Sequence, residues 1–594
     1  MLPALPPPRR RLYLFGMLTS AATPKRRWIF PTPPDGAAVE RLCRELRLPE
    51  PLCRLLVQRG HTEPPAAREF LRPHPGQIHP PALAGIGDAV ARLRQAIQRQ
   101  ETILVHGDYD VDGICATALY VRALRMMGAE AVPFVPHRLT DGYDLSEAGI
   151  AAAVEAGAKL ILTGDCGIVA HAAIEQAQRA GIDVIVTDHH TPGPSLPAAV
   201  ATVNPNRADC PYPNKGLAGV GVAYKLCCAL ANELGFPPDR LHSYLDLVAV
   251  ATVADMAPLR GENRALVRWG LKVLANSPNP GLQALLRSTS LAGRGEISAG
   301  QVGFILGPRI NAVGRMGEAA RGVRLLLTED PREAEEIASL LEEENRWRQQ
   351  VDVQTLRQAM QMLERSYDPE RDWGVVLASE GWHPGVIGIV ASRVVEQIYR
   401  PTVMIALAGS EPGKGSARSI HGFHLYEALR DCAEHLTRFG GHRYAAGCSI
   451  LPSRVDGFRQ AFNARARAAL TEELLVPELR VDLELELREA NRELHKLLRH
   501  AGPFGMENPT PVLAARRVSI MGNPRVVGRN HLKLTLGKDG GTLEAIGFGM
   551  GDRMREAQLM AGPLDAAFKL EENHWNGRAT LQAKLVDVRP ADGS

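Results

Sequence analysis

The chain of 594 residues has no apolar run that approaches the roughly 18 residues of a membrane-spanning helix. Its nine cysteines are scattered and lack the paired spacings that are typical of zinc sites or disulfide frameworks. An excess of one charge is lacking too, because 69 basic and 66 acidic residues leave a formal net charge of +3, too small to indicate a polyanionic partner. Without repeats or a membrane span, the sequence predicts several globular domains and no membrane association.

The first 45 residues differ in character from the rest. Arg9, Arg10 and Arg11 precede a short apolar stretch at residues 12–18, which loosely mimics a signal peptide, although the stretch is short and the site after it is poor. We predict a basic, Pro-rich, disordered tail over residues 1–45, or a true start at Met17. Its basic residues could contact nucleic acid, but a solvated tail is the simpler interpretation.

What the sequence does have is a cluster of acids directly behind an apolar stretch. Residues 102–105 have β-type apolar character, and His106, Asp108, Asp110 and Asp112 then alternate before an apparent helix start at residues 114–119. Neighbouring carboxylates repel one another and raise one another's pKa. A divalent cation removes that repulsion, because hard metals prefer carboxylate oxygens and tolerate imidazole. The segment indicates a metal site, with a solvated acidic loop as the alternative.

Three further segments repeat this arrangement of an apolar element followed by Asp or His. Asp165 follows residues 159–163, the trio at 188–190 follows residues 183–187, and Asp255 follows the apolar stretch 247–253. In open α/β sheets, ligands bind outside the carboxyl ends of the strands. Each aspartate alone could be a helix cap or a turn residue, but four together favour a cation site.

The coarse pattern predicts an α/β fold in two lobes. Residues 46–100 are helical with Pro-rich interruptions, and short apolar strands then alternate with helical stretches to about residue 260, which is typical of a largely parallel sheet covered by helices. Asp330 and Pro331 predict a helix start, and the helix can run to about Tyr367, roughly 50 Å. This helix is expected to be a rigid spacer between lobes; its apolar positions are too sparse for a coiled coil.

The rest of the chain predicts a second α/β unit and then a small β-barrel. Residues 374–379 and 402–407 read as strands with a helix between them, at 384–399. Residues 531–536 and 580–585 alternate strictly, and short strands are expected at 544–548 and 565–570. The basic residues that suit a single-strand groove in this barrel are Arg516, Arg517, Arg525, Arg529 and Lys533, with Trp575 as a candidate stacking platform and ordinary surface charge as the alternative.

These segments resemble the DHH phosphoesterase superfamily, which takes its name from the motif that reads here Asp188, His189 and His190. More narrowly, the chain resembles the RecJ single-strand-specific exonucleases from about residue 45 to about residue 590. The motifs that carry the narrower resemblance are 136–138 (PHR), 141–146 (DGYDLS), 307–315 (GPRINAVGR), 381–388 (GWHPGVIG), 415–419 (GSARS), 439–442 (FGGH) and 503–509 (PFGMENP). The resemblance implies a DHH domain with a helical N-terminal part at 46–329, a connecting helix at 330–368, a DHH-associated domain at 369–468 and an OB-fold-like nucleic-acid-binding domain at 469–594.

The resemblance also implies two divalent cations bridged by Asp165. One would be held by Asp112, Asp165, His189 and Asp255, and the other by Asp110, Asp165 and either His106 or Asp108, a choice that the sequence leaves open. His190 is expected to contact the phosphate or the charge that develops on it. Mixed imidazole and carboxylate ligation favours Mn²⁺, with Mg²⁺ as the alternative.

Recognition of a strand end requires phosphate contacts, for which arginine is well suited. The resemblance suggests Arg138, Arg315, Ser416 and Arg418 for the terminal phosphate and the first nucleotides, while Arg309 and Asn311 could instead brace their loop. Glycine-rich residues 440–442 allow a phosphate to approach the backbone of Gly440 and Gly441, with His442 nearby. The alternative for each arginine is a structural salt bridge.

The function implied is a cytoplasmic, monomeric exonuclease that degrades single-stranded DNA 5′→3′ to mononucleotides in recombination and repair. Single-strand-binding protein and a helicase are candidate partners. Two other functions remain open: a DHH phosphodiesterase or pyrophosphatase on small nucleotides, against which the OB-like region argues, and a non-catalytic single-strand-binding scaffold, against which the complete ligand set argues.

Overall fold

The computed structural model describes residues 26–591, except for 139–140, 143, 317–318, 556–561 and 576–577, and except for the side chains of 238, 316, 554–555, 574–575 and 578. The first part of the chain contains β1 (Arg27–Ile29), α1 (Gly36–Leu46), α2 (Glu50–Gln58), α3 (Pro64–Leu71), α4 (Ile86–Gln98), β2 (Thr102–Gly107), α5 (Val111–Met126), β3 (Glu130–Phe134), α6 (Glu147–Glu155), β4 (Leu160–Gly164), α7 (His171–Arg179), β5 (Asp183–Thr187) and β6 (Ala201–Val203). The elements that follow are α8 (Gly219–Glu233), α9 (Leu245–Ala254), α10 (Gly261–Ala275), α11 (Pro280–Ser288), α12 (Ala299–Gln301), a π-helical turn (Val302–Leu306), α13 (Gly307–Met316) and α14 (Ala320–Leu327). None of the described helices is long and apolar enough to span a bilayer.

The predicted parallel sheet is present and has the strand order β3-β2-β4-β5-β6. Strands β2, β4 and β5 are buried along almost their whole length, as expected for a sheet that helices cover on both faces. Because β2, β4 and β5 are parallel neighbours, their carboxyl ends meet at one edge. The acidic segments that follow these strands therefore lie side by side.

The apolar stretch before Asp255, to which the sequence assigned neither strand nor helix, is a helix, α9. Nearly every residue of α9 is buried, because α9 packs against α5, α8 and α10. A helix that is apolar on all sides cannot be told from a buried strand by its pattern. Asp255 therefore reaches the site from a helix C-terminus and not from a strand end.

The predicted disordered tail at residues 1–45 is wrong for part of its length. Strand β1 pairs in parallel with residues 478–480, Trp28 is buried, and α1 packs its apolar face into a core shared with the C-terminal barrel. The physical reason is that β1 and α1 bury apolar side chains against segments more than 400 residues away in the chain, which local composition does not reveal. Residues 1–25, with their arginine run and the alternative start, lie outside the described residues.

The predicted long helix is present as α15 (Pro331–Ser366), and the carboxylate of Asp330 accepts from the backbone N–H of Arg332 at 2.9 Å. The second lobe contains β7 (Val375–Glu380), α16 (Ile387–Ile398), β8 (Thr402–Ala408), β9 (Glu411–Arg418), α17 (Leu425–Asp431), β10 (Arg438–Gly441), β11 (Ala445–Ile450) and α18 (Val455–Ala469). Its sheet has the order β10-β11-β9-β8-β7. Helix α15 packs on α13 at one end and on α16 at the other, so it joins the two lobes rigidly.

The C-terminal region closes into the predicted small barrel. It contains β12 (Glu478–Arg480), β13 (Leu483–Glu484), α19 (Arg492–Leu498), β14 (Leu513–Val527), β15 (His531–Lys538), β16 (Gly541–Gly547), β17 (Leu564–Trp575) and β18 (Arg578–Pro590). The strand order β13-β14-β15-β16-β18-β17 closes on itself through the pairing of β14 with β17. Closure leaves no open edge among the five barrel strands that the structure describes.

Candidate metal centre and nucleic-acid interface

The acidic segment after β2 forms the start of helix α5. The Asp110 carboxylate caps this helix and accepts from the backbone N–H groups of Asp112 and Gly113 at 2.9 and 3.2 Å. Asp112, in the first turn of the helix, is fully buried and accepts from the N–H groups of Gly219 and Val220 at 2.7 and 2.8 Å. The N-terminus of α8 therefore orients the Asp112 carboxylate, and helix N-termini favour negative charge.

Asp165 lies between these elements with an unusual backbone. Its φ is +69°, and its side chain is 2% exposed. A Cβ on Gly219 would lie 2.6 Å from both Cβ and Oδ1 of Asp165, so only glycine allows α8 to approach this closely. Left-handed backbone on a non-glycine residue is uncommon and concentrates at functional sites.

The histidine pair after β5 faces Asp165. His189 Nε2 lies 3.1 Å from Asp165 Oδ1, 3.8 Å from Asp112 Oδ2 and 3.9 Å from Asp255 Oδ2. His190 Nδ1 lies 2.7 Å from Asp188 Oδ1 and 3.9 Å from Asp165 Oδ1. Asp188 also accepts from the N–H of Ile168 at 3.0 Å and so orients His190 without facing the carboxylate cluster itself.

Three groups of side chains place ligand atoms within 4.8 Å of one another: Asp165 with His189 and His190, Asp112 with His189 and Asp255, and Asp108 with Asp110 and Asp165. Asp165 belongs to two of these groups. Asp108 Oδ1, Asp165 Oδ1 and His189 Nε2 are buried and have no hydrogen-bond partner among the described residues. Buried polar atoms are normally satisfied, so these atoms, with their carboxylate and imidazole chemistry, fit divalent cations.

The electrostatics of the metal-free cluster are unfavourable. Burial and then the neighbouring carboxylates raise the pKa of Asp112 to about 7 and that of Asp255 to about 8, and they hold the pKa of Asp165 well above its usual range. Burial lowers the pKa of His189 to about 4, so the ring is neutral and can ligate. Burial opposes protonation of His190, but the hydrogen bond to Asp188 and the charges of Asp188, Asp255 and Asp108 together outweigh it and raise the pKa of His190 to about 9.

These pKa shifts predict how metal binding depends on pH. An unfolded chain loses its aspartate protons near pH 4, whereas Asp112 and Asp255 retain theirs in the metal-free folded state to about 7 and 8. Between those limits the folded state binds more protons, so stability without metal falls as pH rises. Mn²⁺ displaces these protons.

The rise in Tm that Mn²⁺ causes is therefore expected to be larger at about pH 8.5 than at about pH 6, and proton release on binding is expected at about pH 6, where Asp112 and Asp255 still carry protons. Thermal melts with and without Mn²⁺ measure the first effect, and titration calorimetry in buffers of different ionisation enthalpy measures the second. An equal Tm shift at both pH values, or binding without proton release, would contradict the prediction.

His106 is placed apart from the three groups. Its ring is fully buried, with Nδ1 3.6 Å from Cys166 Sγ, and Nε2 points at helix α6, where a Cβ on Gly149 would lie 2.6 Å away. Burial lowers the pKa of His106 to about 4. Asp108, by contrast, lies with Asp110 and Asp165. Of the two alternatives that the sequence leaves open, Asp108 is the one that faces the cluster.

The predicted phosphate-binding arginines meet at the cleft between the lobes. The Arg138 guanidinium lies 5.0 Å from the Tyr109 ring centroid. Arg315 donates to Gly385 O at 3.3 Å, across the lobes, and Arg418 donates to Ser416 Oγ at 3.2 Å. Burial and then the Arg138 charge lower the pKa of both Arg315, to about 10, and Arg418. Such mutual repulsion between cations suits an anionic ligand.

Arg309 and Asn311 hold neighbouring elements together, which is the alternative role that the sequence suggested for them. Arg309 Nε lies 2.5 Å from Glu342 Oε2 on α15, and Asn311 Oδ1 accepts from the N–H of Val111 at 3.1 Å. Arg309 therefore fastens α13 to the connecting helix, and Asn311 fastens α13 to the start of α5.

Residues 440–442 lie at the edge of the second sheet. Gly440 pairs with Gly447, which in turn pairs with Ser416, so two glycines and a serine form one row across three strands. His442 donates its N–H to Ala445 O at 2.8 Å. Cross-strand partners share a face of the sheet, so a phosphodiester backbone could approach the strands along this row without meeting side chains at Gly440 and Gly447.

The barrel's basic residues are partly engaged already. Arg516 pairs with Glu484 at 2.9 Å and Lys533 with Glu544 at 3.2 Å. The exposed ones are Arg517, Arg525 and Arg529, and Arg525 is the cross-strand partner of Lys533. The side chain of Trp575 lies outside the described residues.

The sequence did not identify two asparagines, Asn204 and Asn206, that hydrogen-bond to the backbone of the histidine pair. Asn204 Nδ2 donates to His190 O at 2.9 Å, and Asn206 Nδ2 donates to His189 O at 2.6 Å; together they fix the backbone of the histidine pair. Their position directly after β6 repeats the strand-end pattern and could have indicated them. The role of Gly219 at the start of α8 carried no such signal.

Comparison with known proteins agrees with this geometry. The model of the DHH family N-terminal domain matches residues 102–252, that of the DHHA1 domain residues 373–468 and that of the RecJ OB domain residues 481–587. A relative from Dickeya dadantii, named single-stranded-DNA-specific exonuclease RecJ, is 40% identical over 563 residues, covering 91% of this chain and 96% of the relative. The Escherichia coli protein of the same name is 38% identical over 569 residues, with 91% and 96% covered.

Solved structures agree as well. The crystal structure of RecJ from Thermus thermophilus in complex with Mn²⁺ superposes with a TM-score of 0.82 at 33% identity, covering 96% of this chain and 80% of that one. A second structure of that protein is a complex with Mg²⁺. The fold and the site define a metal-dependent phosphoesterase of the DHH class. Within that class, the chain belongs to the RecJ family.

Proposed function

We propose that this protein is a metal-dependent exonuclease that degrades single-stranded DNA 5′→3′ to mononucleotides. The observation that carries the proposal is Asp165, which lies in two ligand groups at once and can bridge two cations. Bound as a pair, divalent cations neutralise phosphoryl oxygens and lower the pKa of a water. In the reaction, water adds to phosphorus, the P–O3′ bond breaks and the nucleotide leaves with a 3′-hydroxyl.

The proposed ligands of one cation are Asp112, Asp165, His189 and Asp255, and those of the other are Asp108, Asp110 and Asp165. We assign Asp108 and not His106, because His106 Nε2 points at α6. Mn²⁺ or Mg²⁺ suits this donor set, and the imidazole favours Mn²⁺.

His190 is proposed to stabilise negative charge on the phosphate. Its raised pKa, about 9, keeps the ring protonated at neutral pH, and Asp188 holds Nδ1 so that the Nε2–H can donate to a phosphoryl oxygen. A donor fixed in place before the reaction stabilises charge that develops in the transition state.

We propose that Arg138, Arg315, Ser416 and Arg418 bind the 5′-terminal phosphate, and that Gly440, Gly441 and His442 contact the following backbone. Two arginines on the first lobe and one on the second converge on the cleft, which would fix the strand end relative to the metals. The exposed arginines of β14 and its turn would bind the strand further on.

The deciding experiment is a gel assay with Mn²⁺ or Mg²⁺ on single strands labelled at either end, a blunt duplex and a dinucleotide. We expect mononucleotides from the 5′ end of single strands and a resistant duplex. Cleavage of the dinucleotide alone would favour a small-nucleotide phosphodiesterase, and binding without cleavage would favour a scaffold.

Arg315→Ala is expected to raise the KM for 5′-phosphorylated strands by about 10-fold or more, because a charge-assisted hydrogen bond to a charged group contributes roughly 1.5–3 kcal/mol. The measurement compares kcat and KM on 5′-phosphate and 5′-hydroxyl strands. Arg309→Ala is the matched control on the same helix, since its partner is Glu342, and it should leave the phosphate preference intact. An unchanged preference in Arg315→Ala would remove this residue from the site.

A DNA substrate also suggests the cytoplasm as the location and recombination and repair as the role. Single-strand-binding protein and a helicase are the partners that would supply single strands. We propose action as a monomer, since both lobes and the barrel come from one chain.

A further inference from the structure

The only exposed tryptophan among the described side chains lies beside the cleft between the lobes. Trp347, on the connecting helix α15, is 46% exposed. Its ring meets the ring of His383 edge-on, with centroids 5.9 Å apart and planes at 76°; we call these two residues the aromatic pair. A single exposed apolar residue needs no explanation by itself, so the surroundings of the pair decide whether it has a role.

The loop that carries His383 touches the proposed phosphate site. His383 Nδ1 accepts from the N–H of Gly385 at 3.0 Å, and Gly385 O accepts from Arg315 at 3.3 Å. A Cβ on Gly385 would lie 2.5 Å from Arg315 O, so only glycine lets the loop come this close. One residue of the loop therefore joins the aromatic pair to a proposed phosphate ligand.

The start of α16, which follows this loop, meets the second lobe's part of the same site. A Cβ on Gly388 would lie 2.8 Å from Ser416 Oγ and 3.0 Å from Arg418 Nη2. The segment 383–388 therefore runs between the phosphate ligands proposed on the two lobes. The aromatic pair lies at the beginning of that segment.

Arg138, the fourth residue proposed for the phosphate, lies near both the aromatic pair and the metal-binding segment. Burial and then the Arg138 charge lower the pKa of His383, so the imidazole is neutral at neutral pH. The Arg138 guanidinium lies 5.0 Å from the ring centroid of Tyr109, which stands between two proposed metal ligands in the chain. A nucleotide whose phosphate binds Arg138 is therefore within reach of the metals and of the aromatic pair.

The two rings of the aromatic pair are fixed relative to one another. Trp382 is buried, and its indole N–H donates to Gln358 Oε1 on α15 at 2.7 Å. Arg393 on α16 donates to Asp352 on α15 at 3.0 Å. The segment that bears one ring is thus fastened to the helix that bears the other. A surface held in place before the ligand arrives lowers the entropic cost of binding.

We propose that Trp347 and His383 form a stacking platform for the base of the 5′-terminal nucleotide. The inference rests on the proposed function and deepens it. The phosphate of that nucleotide binds the arginines of the cleft, and its base, joined to the phosphate through one sugar, lies against the aromatic pair. Every base has a π-face, so such a stack tolerates any sequence, as the removal of successive nucleotides requires. The site then recognises a terminal nucleotide and not a phosphate alone.

The test compares two short 5′-phosphorylated oligonucleotides that differ only at the first residue, which is thymidine in one and an abasic tetrahydrofuran residue in the other. Both carry a fluorophore at the 3′ end, and anisotropy measures their affinities for the full, metal-free protein. The abasic strand should bind about tenfold more weakly, near the lower end of what one base–aromatic stack contributes. Without metal the strands stay intact, so binding is measured separately from the proposed activity.

Substitution of the tryptophan should remove this difference. Trp347→Ala is expected to weaken binding of the thymidine strand by about tenfold and to leave the affinity for the abasic strand unchanged. Trp347→Phe keeps an aromatic ring and should retain most of the difference. Val353→Ala is the matched control, since Val353 is 55% exposed on the same helix, and it should change neither affinity.

A spectroscopic measurement reports the stack itself. 2-Aminopurine as the 5′-terminal base should lose fluorescence on binding to the parent protein and to Val353→Ala, because stacking on an indole quenches its emission. Binding to Trp347→Ala should leave the emission close to that of the free strand. Quenching of the same size in Trp347→Ala would remove this residue from the platform.

Equal affinity of the parent protein for the two strands would overturn the proposal. Equal weakening of both strands in Trp347→Ala would overturn it too, because a general loss of structure has that effect. A protein that prefers the strand with the terminal base but releases no nucleotides with Mn²⁺ would contradict the exonuclease and support the platform. Failure to bind any single strand would overturn both.

Discussion

Asp165→Ala should abolish release of nucleotides, lowering kcat by at least about 10³-fold, equal to roughly 4 kcal/mol of transition-state stabilisation. Asp165 lies in the group with Asp108 and Asp110 and, 3.1 Å from His189 Nε2, also in the group with His189 and His190, so its loss would remove a ligand from both proposed cations at once. The proposed strand contacts lie on the arginines of the cleft and on the barrel, so binding of single strands should persist. Gel assays with excess Mn²⁺, together with fluorescence anisotropy on labelled strands, measure the two effects.

The same position should show the opposite effect on the metal-free fold. Burial and the charges of the neighbouring aspartates hold the pKa of Asp165 well above its usual range, so Asp165→Asn removes a source of repulsion. We expect its Tm without metal to exceed that of the parent protein. Asp239→Asn, at a carboxylate with 91% exposure, serves as the control and should change neither activity nor Tm. Full activity in Asp165→Ala would exclude the bridging role.

Glu262→Gln should lower the free energy of unfolding by about 3–5 kcal/mol, the effect of breaking a buried ion pair from one side. Lys225 Nζ lies 2.6 Å from Glu262 Oε1, with side-chain exposures of 2% and 0%. Tyr212 donates to both carboxylate oxygens at 2.9 and 3.0 Å, and the N–H of His79 donates at 2.8 Å. Neutralising the carboxylate leaves the Lys225 ammonium without a counter-charge in a site that water does not reach.

The measurement is urea denaturation, with the shift in midpoint converted through the m-value. Glu233→Gln is the matched control: its partner Arg94 lies 2.6 Å away, but both side chains are about half exposed, at 44% and 45%, and exposed pairs contribute at most about 1 kcal/mol. Replacing both members of the buried pair by methionine should recover much of the loss. Equal effects of Glu262→Gln and Glu233→Gln would show that burial does not govern the pair.

Both predictions concern carboxylates that the fold buries. The two sites differ in the groups that balance the negative charge. Glu262 has a lysine and several hydrogen-bond donors around it, so its network needs no ligand. Among the described residues, no lysine or arginine forms an ion pair within 4.0 Å of the aspartates around Asp165, and the protonated ring of His190 lies only at the edge, with Nδ1 3.9 Å from Asp165 Oδ1. The difference explains why one cluster is structural and the other requires metal.

Local patterns in the amino-acid sequence were sufficient for most of the architecture. Strands β2, β4 and β5 follow from apolar runs that end in acids, α15 from its Asp330 cap, and the barrel strands from strict alternation. Each of these signals depends on neighbours within a few residues. Since parallel strands align their carboxyl ends, even the convergence of the acidic segments at one edge could be predicted from order along the chain.

Contacts between distant segments required the folded molecule. Asp255 arrives from a helix and not a strand, His106 turns toward α6, and the amide of Gly219 reaches Asp112 from 107 residues away. The N-terminal segment 27–46 buries apolar side chains against partners in the C-terminal region, and the N–H of Leu259 donates to Met506 O of a turn far along the chain. Hydrophobic periodicity predicts whether a residue is buried. It does not predict which atoms the residue contacts, because those contacts depend on how distant elements pack together.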